Sequence, residues 1–509
     1  MAVKITLLVA FFVTMATVGV ICSKRIKNVG DFVLAGRSVG PWLTAFAYGT
    51  SYFSAVVFVG YAGQFGWNFG VAATWIGIGN AFIGSLLAWL VLGKRTRLLT
   101  QHLDAATMPA FFEKRYFSRT LKIAASVIIF VFLVPYTASI YKGLSALFSM
   151  AFHLDFVWCV VGMAVLTGIY VILGGYMATA INDFIQGIVM LVGIVAVIAS
   201  VLNGKGGFTQ ALIQLAAIPS TTAATQGMQG AYVSFFGADP MSLLGVTILT
   251  SLGVWGMPQM IHKFYVIKDT AAIKKGMIIS TVFALIIAGG SYFMGAFGKL
   301  YVPATATGAS SLPIDEIVPA MLSAQLSDLL IGIAVVLVLS ASMSTLSALI
   351  ITSSSTFTLD FLRGTFVKKL GDKTQMVVIR VCCALFIIIS VVIALNPNSL
   401  ISSLMSVSWG ALAGAFLPPL LYGLYWKKSS LSAVWASFAT GISITLYNMV
   451  WPFAAPTDAG ALAMIVSLIV FPLVTLISKK PQQRLVDAMF DCYTLDAPVP
   501  STGKNRKSK

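Results

Sequence analysis

Few residues in this sequence could do chemistry, and most of those are uncharged. Asp183 stands at the start of a long apolar run, in Ile181-Asn182-Asp183-Phe184-Ile185-Gln186. A carboxylate within a bilayer is costly and marks an ion or proton path. At a helix N-terminus, the dipole and the free N–H groups can also stabilise it without any further role. The two readings combine in a cytoplasmic-side way station for a departing cation. A second patch is Leu339-Ser340-Ala341-Ser342-Met343-Ser344-Thr345-Leu346-Ser347. Hydroxyls in apolar helices often bond their own i−4 carbonyls or permit close helix contact. The neighbours Ser344 and Thr345 could instead offer two hydroxyl oxygens at one helix level. With carbonyls from an unwound facing helix they would form a cage of roughly five oxygens. Such a set carries no formal charge and suits Na⁺ better than a divalent cation.

Two stretches could supply those carbonyls. Ala47-Tyr48-Gly49-Thr50-Ser51-Tyr52-Phe53-Ser54-Ala55 precedes Gly60 and Gly63, and Gly245 precedes Thr250-Ser251-Leu252-Gly253-Val254-Trp255-Gly256-Met257-Pro258. Proline removes a helix hydrogen bond and glycine loosens the turn, so either helix could break near mid-membrane. Both residue types are also common in membrane helices that stay intact.

Other chemistries lack their residues. His102, His153 and His262 fall near loops or the ends of apolar runs, and no carboxylate pair converges. That argues against a membrane-embedded enzyme. No Gly-x-x-x-x-Gly-Lys-[Ser/Thr] phosphate loop occurs, so ATP is not the expected energy source. Cys22, Cys159, Cys382, Cys383 and Cys492 have neither metal-ligand spacing nor a disulfide pattern. They read as small buried hydrophobes.

The elements that must position these residues are membrane helices. Of the 509 residues, 58% are hydrophobic and 10% charged, where a soluble domain carries about 25% charged residues. Lipid must therefore be the main solvent. Thirteen apolar segments of spanning length lie near 3–22, 41–63, 70–93, 120–150, 156–174, 180–203, 242–262, 276–298, 326–358, 377–395, 399–424, 430–452 and 460–478. The first begins like a signal peptide, with Lys4 ahead of an apolar run. It ends in Cys22-Ser23-Lys24-Arg25-Ile26-Lys27 without a small-residue cleavage site, and reads as a retained helix.

A formal charge of +17 would suit nucleic acid if it formed one patch, but it falls in short clusters between the apolar runs. One side takes Lys24, Arg25, Lys27 and Arg37, then Lys94, Arg95 and Arg97, then Lys114, Arg115, Arg119 and Lys122. It also takes Lys263, Lys268, Lys274 and Lys275, then Arg363, Lys368, Lys369, Lys373 and Arg380, then Lys427, Lys428 and the tail from Lys479 to Lys509. The other side has Lys4, Lys205 and Lys299, with Lys142 near a span end. This asymmetry assigns the basic side to the cytoplasm and the N-terminus to the outside. With the first helix set aside, the two interruptible helices become the first and sixth of ten, the placement expected of two five-helix inverted repeats. One transmembrane domain is expected over 1–480, with repeats at about 41–203 and 242–424. A basic, partly disordered cytoplasmic tail is expected over 481–509.

Along residues 5–480 the sequence resembles the sodium/solute symporter family, which includes sodium/proline and sodium/pantothenate symporters. The resemblance rests on Asp31-Phe32-Val33-Leu34-Ala35-Gly36-Arg37-Ser38, on Gly174-Gly175-Tyr176-Met177-Ala178 leading to Asn182-Asp183-Phe184-Ile185-Gln186, and on Met343-Ser344-Thr345-Leu346-Ser347. It implies an all-α polytopic protein with a LeuT-like core of ten helices, preceded by one helix and followed by two. It implies a Na⁺ site on the carbonyls of Thr50, Phe53 and Ala341 and the hydroxyls of Ser344 and Thr345, with Asp183 linked to sodium movement. It places the solute near Ser54, Ala55, Trp255, Gly256 and Pro258.

By the same resemblance, the chain is expected to be a transporter in the inner (plasma) membrane, a monomer being sufficient. It would use Na⁺ as coupling ion and no organic cofactor, to import a small organic solute such as proline or pantothenate. A proton-coupled symporter of the same fold, with Asp183 as proton carrier, is the alternative. Proline symporters carry a carboxylate where Tyr52 stands here, so an ammonium group would lose that partner. The stretches Ser51–Ala55 and Asn182–Met190 look closer to the pantothenate branch, which points towards an organic carboxylate or zwitterion.

Overall fold

The computed structural model describes residues 2–24, 26, 28–305, 307–362, 365, 371–396 and 400–495. Arg25, Lys27, Arg363, Lys368, Lys369 and the tail residues from 496 on, all assigned above to the basic side, lie outside the described residues.

The chain starts with α1 (Ala2–Ser23), followed by α2 (Pro41–Tyr52), α3 (56–69) and α4 (74–102). A short α5 (Met108–Tyr116) leads into α6 (Arg119–Phe152). The 48-residue helix Phe156–Asn203 is interrupted at Gly175 (φ 59°, ψ −169°), which divides it into α7 (156–174) and α8 (Gly175–Asn203). Then come α9 (Pro240–Gly253), α10 (Pro258–Val266), α11 (Thr270–Gly295) and α12 (Asp328–Thr356). These are followed by α13 (Asp372–Ala394), α14 (Ile401–Tyr425), α15 (Leu431–Val450) and α16 (Pro456–Ile477), with the short helix Gln483–Phe490 beyond them.

Local sequence explains where these helices start. Proline opens α2, α9, α10 and α16, at the position where no N–H is needed and φ is already helical. Side chains of Ser118, Asp239, Asp269 and Ser430 accept from backbone N–H groups at the starts of α6, α9, α11 and α15, as N-caps do.

Ten helices among the described residues are long and apolar enough to cross a membrane, or eleven when α9 and α10 count as one span across their 47° bend. Hydropathy pointed to thirteen segments, and the difference lies in the interruptions. The 41–63 segment is cut near Ser54, which leaves α2 only 12 residues long. The 70–93 segment continues from α3 in one stretch, Val56–His102, and 156–174 contains a shorter apolar helix, Phe156–Ile169. Large apolar side chains such as Val192 (66% exposed) and Val392 (65%) cover the outside of the bundle, where only lipid can be their solvent.

At the centre stands α12, in which every residue from Leu337 to Thr356 is buried. A helix buried on all faces belongs in the middle of a bundle, and α12 packs against α1, α2, α6 and the Phe156–Asn203 helix. Two of the sequence motifs meet at the Gly175 interruption. The turn after Val29–Leu34 puts Ala35, Gly36 and Arg37 at positive φ and sends the Arg37 guanidinium to the carbonyls of Tyr265 (3.2 Å) and Ala105 (2.9 Å). Phe32 of the same motif lies against Gly175, where an added Cβ would be 3.0 Å from the Phe32 ring. The positive φ and that close approach explain the glycine.

Candidate functional site

The first break is held open by α12. After Tyr52 the backbone is extended at Phe53 (φ −115°, ψ 124°), and the helix resumes after Ser54. The carbonyls of the last turn of α2 and the first N–H groups of α3 therefore need partners from elsewhere. Ser342 serves one side: its Oγ accepts from the Ala55 N–H (3.1 Å) and donates to the Val338 carbonyl (2.7 Å). Ser344 Oγ donates to Thr50 Oγ1 (2.7 Å), which donates to the Phe46 carbonyl (2.8 Å), and Ser51 Oγ lies 3.4 Å from Ser344 Oγ.

Thr345 Oγ1 sits among three carbonyl oxygens, 3.4 Å from Thr50, 3.3 Å from Ser51 and 3.1 Å from Ala341. One hydroxyl proton cannot satisfy three acceptors. The cluster therefore holds surplus oxygen lone pairs, with Thr50, Ser51, Ala341, Ser344 and Thr345 all buried. That is the chemistry of a hard-cation cradle without formal charge. Of the five residues in the expected ion site, Thr50, Ala341, Ser344 and Thr345 come together here. Phe53 lies at the break, but its described contact is a ring stack on Tyr52 (4.4 Å). Among the described residues no hydrogen bond joins it to Ser344 or Thr345. Ser51, absent from the sequence expectation, contributes both a carbonyl and a hydroxyl.

The second break is built differently. A tight turn over Val254–Gly256 and an extended Met257 (φ −79°, ψ 118°) lead into Pro258, which has no N–H to leave unpaired. A Cβ on Gly256 would lie 2.6 Å from Ala413 Cα of α14, so this turn is pressed directly against a neighbouring backbone. Trp255 Nε1 donates to the Ile83 carbonyl (2.9 Å). Tyr52 OH donates to the Thr250 carbonyl (2.6 Å) and ties the two broken helices together.

Between the breaks lie residues that the sequence did not single out. Trp409 of α14 has its ring 6.2 Å from Tyr52 and 5.8 Å from Tyr136 of α6. Tyr136 OH and Trp409 Nε1 are both buried without a hydrogen-bond partner, a costly state that a polar ligand would relieve. Ser54, Ala55, Gly256 and Pro258 are also buried, and Trp255 is 8% exposed. Near 3.6-residue periodicity, Tyr136 and Trp409 look like ordinary core aromatics, so only their juxtaposition marks them.

Asp183 has no exposure and sits on α8 behind Ser344, facing it. Lys263 Nζ of α10 lies 3.8 Å from Asp183 Oδ2, with side-chain exposures of 1% and 0%. This corrects the reading of Lys263 as a loop residue: the second break carries it into the interior. Arg37, Arg97 and Arg115 likewise read as loop charges in the sequence. Arg97 and Arg115 are buried and Arg37 is partly so, and each clamps backbone carbonyls, Arg97 those of Ile267 and Lys268 and Arg115 those of Gly423 and Trp426. A guanidinium offers five donors in a fixed fork, which suits the unpaired carbonyls at helix ends. A separate cavity of about 460 Å³ opens beside α3 and the start of α9, with Lys299 stacked between the rings of Trp67 (4.0 Å) and Tyr232 (4.3 Å).

Two interrupted helices, crossed by a buried hydroxyl-bearing helix, are the architecture of a LeuT-fold membrane protein. Solved structures agree on the fold. A Na⁺-coupled sialic acid symporter in a substrate-bound outward-open state superposes with a TM-score of 0.74 at 17% identity, covering 94% of this chain and 99% of that one. Mhp1, a nucleobase-cation-symport-1 family transporter, gives 0.52 at 15% identity, covering 91% and 98%. The model of the sodium:solute symporter family matches residues 32–441, and the chain belongs to that family. Its curated relatives include the osmoregulated proline transporter OpuE of Bacillus subtilis, 28% identical over 92% of this chain and 94% of the relative. The sodium/proline symporter of Staphylococcus aureus is 30% identical over 89% and 88%.

Proposed function

We propose that this chain is a sodium-coupled symporter that imports a small organic solute by alternating access, with its N-terminus outside and C-terminus in the cytoplasm. The observation that carries the reading is the surplus of carbonyl oxygens around Thr345 Oγ1. Na⁺ bound by Thr50, Ala341, Ser344 and Thr345, with Phe53 and Ser51 at its edge, would join α2 to α12 and stabilise the outward-open form. The solute then binds between the breaks, near Ser54, Ala55, Trp255, Gly256 and Pro258, against Trp409 and Tyr136. The repeats at about 41–203 and 242–424 rock, and both cargoes leave past Asp183.

One charge crossing 100 mV is worth about 2.3 kcal/mol, and a tenfold Na⁺ gradient adds about 1.4 kcal/mol. Together these support an accumulation of roughly a few hundred-fold per coupled ion. The solute class we favour is an organic carboxylate or amino acid, pantothenate and proline among them. The relatives are named as proline carriers, whereas the family resemblance implies a carboxylate in proline symporters where Tyr52 stands, and Tyr52 spends its hydroxyl on Thr250. The test is uptake of labelled proline, pantothenate and small carboxylates into proteoliposomes under an imposed Na⁺ or H⁺ gradient. Concentrative uptake that requires Na⁺ supports the reading. Uptake driven by H⁺ and indifferent to Na⁺ replaces it with the proton-coupled alternative.

A further inference from the structure

The Asp183–Lys263 pair is not explained by ion binding at the first break. Both side chains are closed off from solvent, and burying one without the other is strongly unfavourable. Yet the pair is loose. At 3.8 Å the nitrogen and oxygen are beyond the 2.7–2.9 Å of a charge-assisted hydrogen bond. Asp183 Oδ1, Asp183 Oδ2 and Lys263 Nζ all lack a hydrogen-bond partner. Tyr176 OH, on the ring 5.1 Å from Lys263 Nζ, is buried and unpartnered too. A pair meant only to brace two helices would close to contact distance and satisfy these atoms.

The two charges also sit on elements that need not move together. Asp183 belongs to α8, which lies against α12 and faces Ser344. Lys263 belongs to α10, the half-helix beyond the second break, hinged at the 47° bend. Its flexible four-carbon stem can bring the ammonium to Asp183 or leave it nearer the Tyr176 ring, 5.1 Å away. A rotation at the hinge therefore changes the charge seen by Asp183 without moving Asp183.

From this geometry we infer that Lys263 is a built-in counter-cation for Asp183. It takes the carboxylate as Na⁺ leaves, and this lets the empty carrier return. When Na⁺ enters from the Ser344 side, Lys263 withdraws. The ammonium thus competes with Na⁺ for Asp183 and acts through it as a positioning residue. The inference rests on the sodium-coupled reading above.

The test compares net Na⁺-driven uptake with exchange of labelled solute across proteoliposomes loaded equally with Na⁺ and solute on both sides. Exchange skips the return of the empty carrier. In Lys263→Met, net uptake should fall about tenfold more than exchange, and the Na⁺ half-saturation should drop severalfold because its competitor is gone. Lys263→Arg should keep both close to wild type. Should Lys263→Met not fold, the double variant Asp183→Asn/Lys263→Met removes both charges and should recover net uptake relative to Asp183→Asn alone. Equal losses of net uptake and exchange in a folded Lys263→Met protein, with unchanged Na⁺ half-saturation, would overturn the inference alone. The same holds if the double variant is no better than Asp183→Asn. A wild-type protein indifferent to Na⁺ would instead overturn the sodium reading beneath it.

Discussion

The oxygen cluster at the first break and the Asp183–Lys263 pair share a neighbour in Ser344, yet they meet the cost of burial in opposite ways. At the break no group is charged, donors are paired, and carbonyl acceptors are left in excess. Behind Ser344 the charges balance, but the individual atoms lack partners. A cation held by the first arrangement would bind without changing any protonation state, which suits fast and reversible binding. The second makes the charge on one element depend on the position of another. A carrier needs both properties, and here they are a helix face apart.

Breaking the first region should have the larger effect. Thr345→Ala removes the hydroxyl that three carbonyls surround, and should raise the Na⁺ half-saturation for uptake by roughly a hundredfold, about 2.7 kcal/mol. A shift below about threefold would take Thr345 out of the ion site. Trp409→Ala tests whether the solute and ion regions are separable: solute KM should rise about tenfold, with a much smaller change in Na⁺ half-saturation. Uptake kinetics at varied Na⁺ and solute would show the split. Ser342→Ala orphans the Ala55 N–H and should lower stability by about 1–3 kcal/mol, read as a lower thermal midpoint in detergent. Gly175→Ala places a Cβ at φ 59°, ψ −169° and against Phe32, so a penalty of about 1–3 kcal/mol is expected. Unchanged thermal midpoints in the last two would mean that the backbone relaxes at these points.

Much of the fold was legible because its physics is local. Apolar run length reported the membrane helices, and Gly253 to Pro258 reported the second break through missing donors and loose turns. The Ser344–Thr345 pair was visible as a hydroxyl doublet in an apolar helix, and what it faces follows from the break near Ser54. Other features depend on tertiary placement. Lys263 follows Pro258 by less than two turns and read as a loop charge, because nothing local indicates that a bend would turn it inward. Arg97 and Arg115 misled for the same reason: a basic residue in a loop and one clamping a helix end look alike in sequence. Tyr136 and Trp409 sit in different helices, more than 250 positions apart in the chain, and only folding sets their rings edge to face with polar atoms left unpartnered. The segment count differs from the number of helices of spanning length where a span is cut or runs on through a turn, as at Ser54 and Gly70.

The most direct test of the central claim is equilibrium binding of radiolabelled Na⁺ to purified protein, comparing wild type with the Ser344→Ala/Thr345→Ala variant at matched thermal stability. Saturable binding in the wild type that is lost in the variant is the expected result. Equal Na⁺ binding by both proteins would contradict it and move the ion away from the first break.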